Sequence, residues 1–139
     1  MNVLAIDQGT SSTKALVVSS AGEVLGAAEV PVALSWQDRR ATSVCEQLAA
    51  HGARLQSLTG LPLDPYFAAP KMRWLREHVT RVGVCTTTDA WLLHRLTGVY
   101  ITDAATASRT LLLDLDAAAW SPEACELFEI DPNSLPAIR

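Results

Sequence analysis

A chain of 139 residues that is 49% apolar and only 6% aromatic holds enough aliphatic material for one ordinary core, and is expected to be soluble and globular. Acids outnumber bases by 15 to 11, the formal charge is −4, and no basic cluster is longer than Arg39-Arg40, which argues against nucleic acid as a partner. No apolar run reaches the ~18–20 residues of a membrane span, and Asp7 interrupts the N-terminal apolar stretch, so neither insertion nor export is expected.

Val3-Leu4-Ala5-Ile6-Asp7 and Ala15-Leu16-Val17-Val18 are short, apolar and rich in β-branched residues, the composition of buried strands. After a turn at Ala21-Gly22, residues 23–32 supply a third strand, and the opening is an antiparallel meander. From Gln37 the period changes. Ala41, Val44, Cys45 and Leu48 fall on one helical stripe, with Gly52 as its stop and a short helix before Gly60. Two prolines make Leu61-Pro62-Leu63-Asp64-Pro65-Tyr66-Phe67 an ordered loop. Pro70 suits the first turn of a helix with Met72, Leu75 and Val79 on one face and Trp74 nearby. Another helix starts near Thr88-Asp89, where either side chain can cap, and stops at Gly98. Leu111-Leu112-Leu113 reads as a strand, and Ser121-Pro122-Glu123 opens a last short helix.

The chemistry concentrates in three places. Gln8-Gly9-Thr10-Ser11-Ser12-Thr13-Lys14 is a hydroxyl-rich turn in which Gly9 permits close backbone approach, and hydroxyls, N–H groups and Lys14 can face phosphate oxygens. Asp7, at the root of the turn, is placed to organise a metal-bound water. The same residues also fit a polar turn without a ligand. No Gly-x-x-x-x-Gly-Lys-Ser/Thr run is present, so this is not the P-loop. Trp36-Gln37-Asp38-Arg39-Arg40 offers an aromatic plane beside an amide, an acid and two guanidiniums, an inventory that suits a polyol and equally a helix start with ion pairs. Asp64-Pro65-Tyr66-Phe67 is, by its residues alone, a stiff loop with buried aromatics. Cys45, Cys85 and Cys125 lie far apart without histidine at ligand spacing, so reduced structural thiols in a cytoplasm are expected. His51, His78 and His94 are isolated and receive no catalytic role.

Residues Asp7 to Lys14 resemble the first phosphate loop of the FGGY carbohydrate kinases, members of the actin-like ATPase superfamily. Trp36 to Arg40 resembles the Trp-Gln-x-Arg-Arg segment of the glycerol kinase-like members, whose Trp contacts substrate. Asp64-Pro65-Tyr66-Phe67 is similar to their Asp-Pro-Tyr-Phe loop, whose Tyr hydroxyl contacts the polyol. Thr88 to Leu92 and Thr102 to Thr110 resemble further segments in the family's order, read here as scaffold in which hydroxyls and acids cap helix ends and Arg109 satisfies buried carbonyls or an acid, with a direct substrate role for Asp103 or Arg109 as the lesser alternative.

The resemblance implies an α/β, ribonuclease H-like fold, present as a partial N-terminal domain: residues 1–32 a phosphate-loop meander, 33–139 a mainly helical substrate-side portion. It implies an ATP-dependent kinase acting on a hydroxyl of a small-molecule polyol or sugar. Asp7 would orient Mg²⁺ through water, Gly9, Thr10, Ser11, Ser12 and Lys14 would bind phosphates, and Trp36 and Tyr66 would line the acceptor pocket. Between the third strand and Trp36 a long stretch of the family pattern is missing, including the strand expected beside the first, which leaves an unpaired edge. The catalytic base is expected beyond Arg139, with none in this chain. An incomplete, inactive portion is therefore expected, with a non-catalytic phosphate-binding remnant or interaction module as the alternative. The exposed edge makes a homo-oligomer a further expectation.

Overall fold

The computed structural model describes residues 3–8, 13–21, 23–30, 34–79 and 81–139. They divide into two compact units, Met1–Gln37 and Asp38–Arg139.

In the first unit, β1 (Val3–Gln8), β2 (Thr13–Val18) and β3 (Val24–Val30) form one antiparallel sheet in the order β1-β2-β3. The β1–β2 register runs from Val3 opposite Val18 to Gln8 opposite Thr13. The β2–β3 register slips between Val17 and Val18, a local irregularity of the kind that increases strand twist. Ser19 Oγ stabilises the β2–β3 turn by accepting from the N–H groups of Ala21 and Glu23, both at 3.2 Å. The meander expected from the β-branched runs is present, with Glu23 in the turn; the expectation for Pro31 and Val32 lies outside the described residues.

In the second unit, α1 (Thr42–Gln47) passes through a 3₁₀ turn at Ala49–His51 into α2 (Gly52–Thr59). Val44 and Leu48 are buried and Cys45 half-buried, so the stripe read from their spacing faces the core. Gly52, expected as a stop, instead opens α2 in ordinary right-handed conformation; the tight turn before it does the redirecting. Gly60 is the true terminator, left-handed at φ 71°. A Cβ there would sit 2.6 Å from Leu115 Cδ1, a side-chain tip at an exposed position that can turn aside, so the backbone conformation is what favours glycine.

Helix α3 (Ala68–His78) carries Pro70 in its first turn, where a missing N–H is harmless. It buries Met72, while Val79, expected on the same face, lies beyond its end and is 64% exposed. Helix α4 (Thr88–Thr97) ends on left-handed Gly98 as expected, but its first turn has no side-chain cap. Asp89 accepts from Thr102 Oγ1 at 2.7 Å instead, joining α4 to β4 (Ile101–Thr102). Asp103 caps α5 (Ala104–Ser108) through Thr106 N–H at 2.8 Å, and those bonds from Thr106 hold its carboxyl below the usual range.

The expected strand over Leu111–Leu113 shrinks to β5 (Leu113–Asp114), paired antiparallel with β6 (Ala119–Trp120). Leu111 is left-handed at φ 68°, which no strand residue can be. Its burial explains the cost it bears: Leu111, Leu112 and Leu113 are all interior. Ser121 caps α6 (Pro122–Leu127) through Ala124 N–H at 3.2 Å. Finally β7 (Ala137–Ile138) pairs in parallel with β4, and Arg139 N–H donates to Thr102 O at 3.0 Å. Val44, Leu55, Met72, Leu112, Cys125 and Phe128 are among the residues of one continuous core.

That core has a pH signature. Burial pushes the Cys125 thiol up from 9.0 to about 11, helped by the nearby Asp131, and burial with Asp64 does the same for Cys45. The folded chain thus keeps protons that the unfolded chain releases. This stabilisation is complete below about pH 9 and is lost as pH rises towards 11; for the enclosed Cys125 it is on the order of 2–3 kcal/mol. Lys71 works in the opposite sense, because burial lowers its value from 10.5, so stability from it grows as pH rises towards that value. Urea unfolding followed by tryptophan fluorescence across this window should show a net alkaline loss that Cys125→Ala reduces; an unchanged slope in that variant would refute the account.

Candidate functional site

The first unit brings two of the phosphate-loop candidates together along the backbone: Asp7 is directly opposite Lys14 in the β1–β2 ladder. Gly9, Thr10, Ser11 and Ser12 lie outside the described residues. Trp36 falls in a turn at the end of this unit and is 59% exposed.

The second unit contains the Asp64–Phe67 loop. Asp64 Oδ1 accepts from Tyr66 N–H at 2.8 Å, closing an Asx turn that presents the Tyr66 side chain at the surface, 40% exposed. Lys71, one turn into α3, reaches back beneath this loop. Its ammonium donates to the carbonyls of Pro65, of Tyr66 at 2.9 Å and of Phe67 at 3.3 Å, so a single buried cation satisfies three consecutive backbone acceptors. Burial lowers its pKa, against the pull of Asp38 and then Asp64. Sequence reading assigned Lys71 nothing. The available signal was a lysine in the first turn of a helix, where the dipole disfavours a cation, which asks for acceptors nearby.

Arg109 also differs from expectation. Rather than satisfying buried carbonyls or an acid, it is exposed and donates through Nη2 to the Tyr66 hydroxyl at 3.1 Å. Its guanidinium lies 5.6 Å from the Tyr66 ring centroid and 5.9 Å from that of Phe67. The two rings meet edge to face at 5.1 Å, a favourable arrangement for a pair that also receives a cation. Backbone bonding fixes the two segments together, since Ala69 N–H donates to Thr110 O at 2.9 Å.

In the Asp38-Arg39-Arg40 stretch, Arg40 forms an ion pair with Asp38 at 2.8 Å and lies 5.3 Å from the Trp74 ring. His78 stacks on Trp74 at 4.5 Å. Among the described residues no group of His, Cys, Asp and Glu side chains is arranged to hold a metal. A cleft of about 360 Å³ lies elsewhere in this unit, lined by Arg73, Arg76, Glu77, Arg81, Cys85 and Glu129 among others; none of the residues named as a site from sequence lines it.

Residues 29–139 match the N-terminal domain of the FGGY family of carbohydrate kinases. The chain belongs to that family. A glycerol kinase of Nocardia farcinica is 44% identical over 117 residues, 77% of this chain and 23% of its own length. A probable glycerol kinase of Caenorhabditis elegans is 39% identical over 120 residues, 77% of this chain and 24% of its own. The chain therefore spans about a quarter of the length of these FGGY relatives. Among solved structures, Plasmodium falciparum glycerol kinase with ADP superposes with a TM-score of 0.70 at 19% identity, over 99% of this chain and 43% of that one. Gluconate kinase from Lactobacillus acidophilus gives 0.69 at 17%, over 99% and 42%. The fold is thus the α/β, ribonuclease H-like fold of the sugar kinases, as a partial N-terminal domain. The family match begins at Glu29, after the β1–β2 hairpin, whereas the structural likeness extends across it.

Proposed function

We propose that this FGGY chain is the phosphate-loop and acceptor-side portion of an ATP-dependent kinase that phosphorylates a hydroxyl of a small polyol or sugar, most like glycerol. The reading rests on its similarity to glycerol kinases near 40% identity, and on a Tyr66 hydroxyl held at the surface by Arg109 and the Asx turn.

Phosphoryl transfer needs placement and charge neutralisation more than covalent chemistry. In this proposal Gly9, Thr10, Ser11, Ser12 and Lys14 bind phosphate oxygens of ATP. Trp36 packs on the C–H face of the acceptor and Tyr66 hydrogen-bonds its hydroxyls. Asp7 would hold Mg²⁺ through water; one carboxylate suits an ion that keeps most of its waters and shares the rest of its shell with phosphates. Bound there, Mg²⁺ would neutralise charge on the transferring group. The Asp7–Lys14 pairing in the ladder supports this division, setting an acid and a base at the root of the same loop. No residue of this chain is assigned as the general base. Residues 1–32 and 33–139 are proposed as the phosphate and acceptor portions. A cytoplasmic location, no nucleic-acid or membrane partner, and self-association through an unpaired strand edge complete the proposal; no helix among the described residues is long and apolar enough to cross a membrane.

Calorimetric titration with Mg-ATP and with glycerol, beside a coupled kinase assay, tests it. Binding of both ligands without turnover is the expected result. Turnover by the chain alone would overturn the assignment of the base elsewhere. Binding of Mg-ATP without any polyol would favour a phosphate-binding remnant, and absence of both would remove the proposal.

A further inference from the structure

We infer that the cleft beside α3 is a further binding site, built for a zwitterion the size of an α-amino acid with an apolar side chain. Its space of about 360 Å³ lies in the range of small-ligand pockets. None of the residues proposed to hold phosphate or acceptor lines it. Arg73, Arg76 and Arg81 line it together with Glu77, Glu129 and Asp131, so its formal charges cancel. A bare anion would meet the carboxylates and a bare cation the guanidiniums. A ligand carrying one charge of each sign can satisfy both.

Not every charge there is available to a ligand. The Arg73 side chain is 13% exposed and all three of its nitrogens are engaged. Nε donates to Glu77 Oε1 at 2.8 Å and Nη1 to Leu127 O at 3.4 Å, while Nη2 reaches Gln47 Oε1 at 3.1 Å and Glu129 Oε1 at 3.0 Å. Arg73 is therefore a strut that holds both glutamates in place. Arg76 gives Nη2 to Gly83 O at 2.6 Å, which ties the loop after α3 to the helix and leaves most of its fork unspent. Among the described residues Arg81 makes no ion pair. On the segment after α6, Asp131 Oδ1 accepts from Asn133 N–H at 2.9 Å and Nδ2 at 3.0 Å, and Oδ2 takes part in neither bond. The donors left over thus come from α3 and its loop, and the acceptor left over from the segment after α6. A carboxylate suits the planar guanidinium fork, and an ammonium suits Asp131 Oδ2 and Glu129 Oε2. Ile130 and Cys85 add apolar lining. Burial raises the Cys85 thiol against the pull of Arg76, so the thiol is neutral and behaves as a small hydrophobe. An aliphatic side chain complements that surface, whereas a polar one would lose water without gaining a partner.

L-leucine, titrated into the whole chain and followed by NMR through the amide signals of Gly83, Cys85 and Ile130, tests the site. N-acetyl-L-leucine lacks the ammonium and L-leucinamide lacks the carboxylate. Leucine is expected to shift those signals saturably, and each blocked analogue to bind at least about tenfold more weakly. Arg81→Met, at an exposed position, should keep the wild-type melting midpoint and weaken leucine by a similar factor, yet leave the weak binding of leucinamide unaltered. Asp131→Asn keeps an oxygen for Asn133 and should weaken leucine without altering N-acetyl-leucine. Absence of saturable shifts with leucine would overturn the inference. So would either blocked analogue binding as tightly as leucine, or a leucine affinity indifferent to both substitutions.

Discussion

Lys71→Met should lower the stability of the second unit by about 2–3 kcal/mol and loosen the loop that carries Tyr66. Methionine matches the lysine stem in length and relieves the desolvation of a buried cation, yet it leaves the carbonyls of Pro65, Tyr66 and Phe67 without their shared donor. Orphaned buried acceptors outweigh the relief, because each loses its water and gains nothing in return. For a unit of this size the melting midpoint should fall by roughly 10 °C or more. Hydrogen exchange should rise across the amides of residues 66–69 before it rises in α1 or α6. A Lys71→Met chain that melts with the wild type and protects this loop equally would show that the cation holds nothing in place.

Phe128→Ala should be more damaging still, costing about 3–5 kcal/mol. Phe128 is fully enclosed at the C-terminal cap of α6, and its backbone N–H closes on Ala124 O at 3.1 Å. Next to it Glu129 is left-handed at φ 55°, a bend maintained by what surrounds it. Removing the ring opens a void in the core that α1, α2, α3 and α6 share, so unfolding of the second unit should remain cooperative while its midpoint in urea drops. Full retention of stability would mean the neighbouring side chains collapse into the space, which Phe128→Leu would then reproduce at lower cost.

The residues that could be read in advance were those whose local chemistry has few alternatives. Gly60 and Gly98 ended helices because left-handed caps favour glycine, and Ser121-Pro122-Glu123 opened one because hydroxyl, ring and acid each suit a helix start. The β-branched runs around residue 10 likewise had little to be except a hairpin. The misreadings came where tertiary contacts choose among options. A Leu-Leu-Leu run looks extended until burial on every side pins Leu111 with positive φ. Gly52 is compatible with stopping a helix and with starting one. In the candidate site, Tyr66 was legible through its Asp-Pro-Tyr-Phe motif, but its two supports were not. Lys71 is near in sequence yet was assigned no role, whereas Arg109 reaches Tyr66 from 43 residues away, a separation that no local pattern encodes.

The short parallel ladder between β4 and β7, sealed by Arg139 N–H on Thr102 O, bears on how this polypeptide should be handled. Residues 137–139 are stitched into tertiary structure, so deleting them removes pairing partners from Ile101 and Thr102. Whatever is joined after Arg139 departs from a fixed ladder at a set bearing, and needs a flexible spacer if it is not to tug on α4 through the Thr102–Asp89 bond.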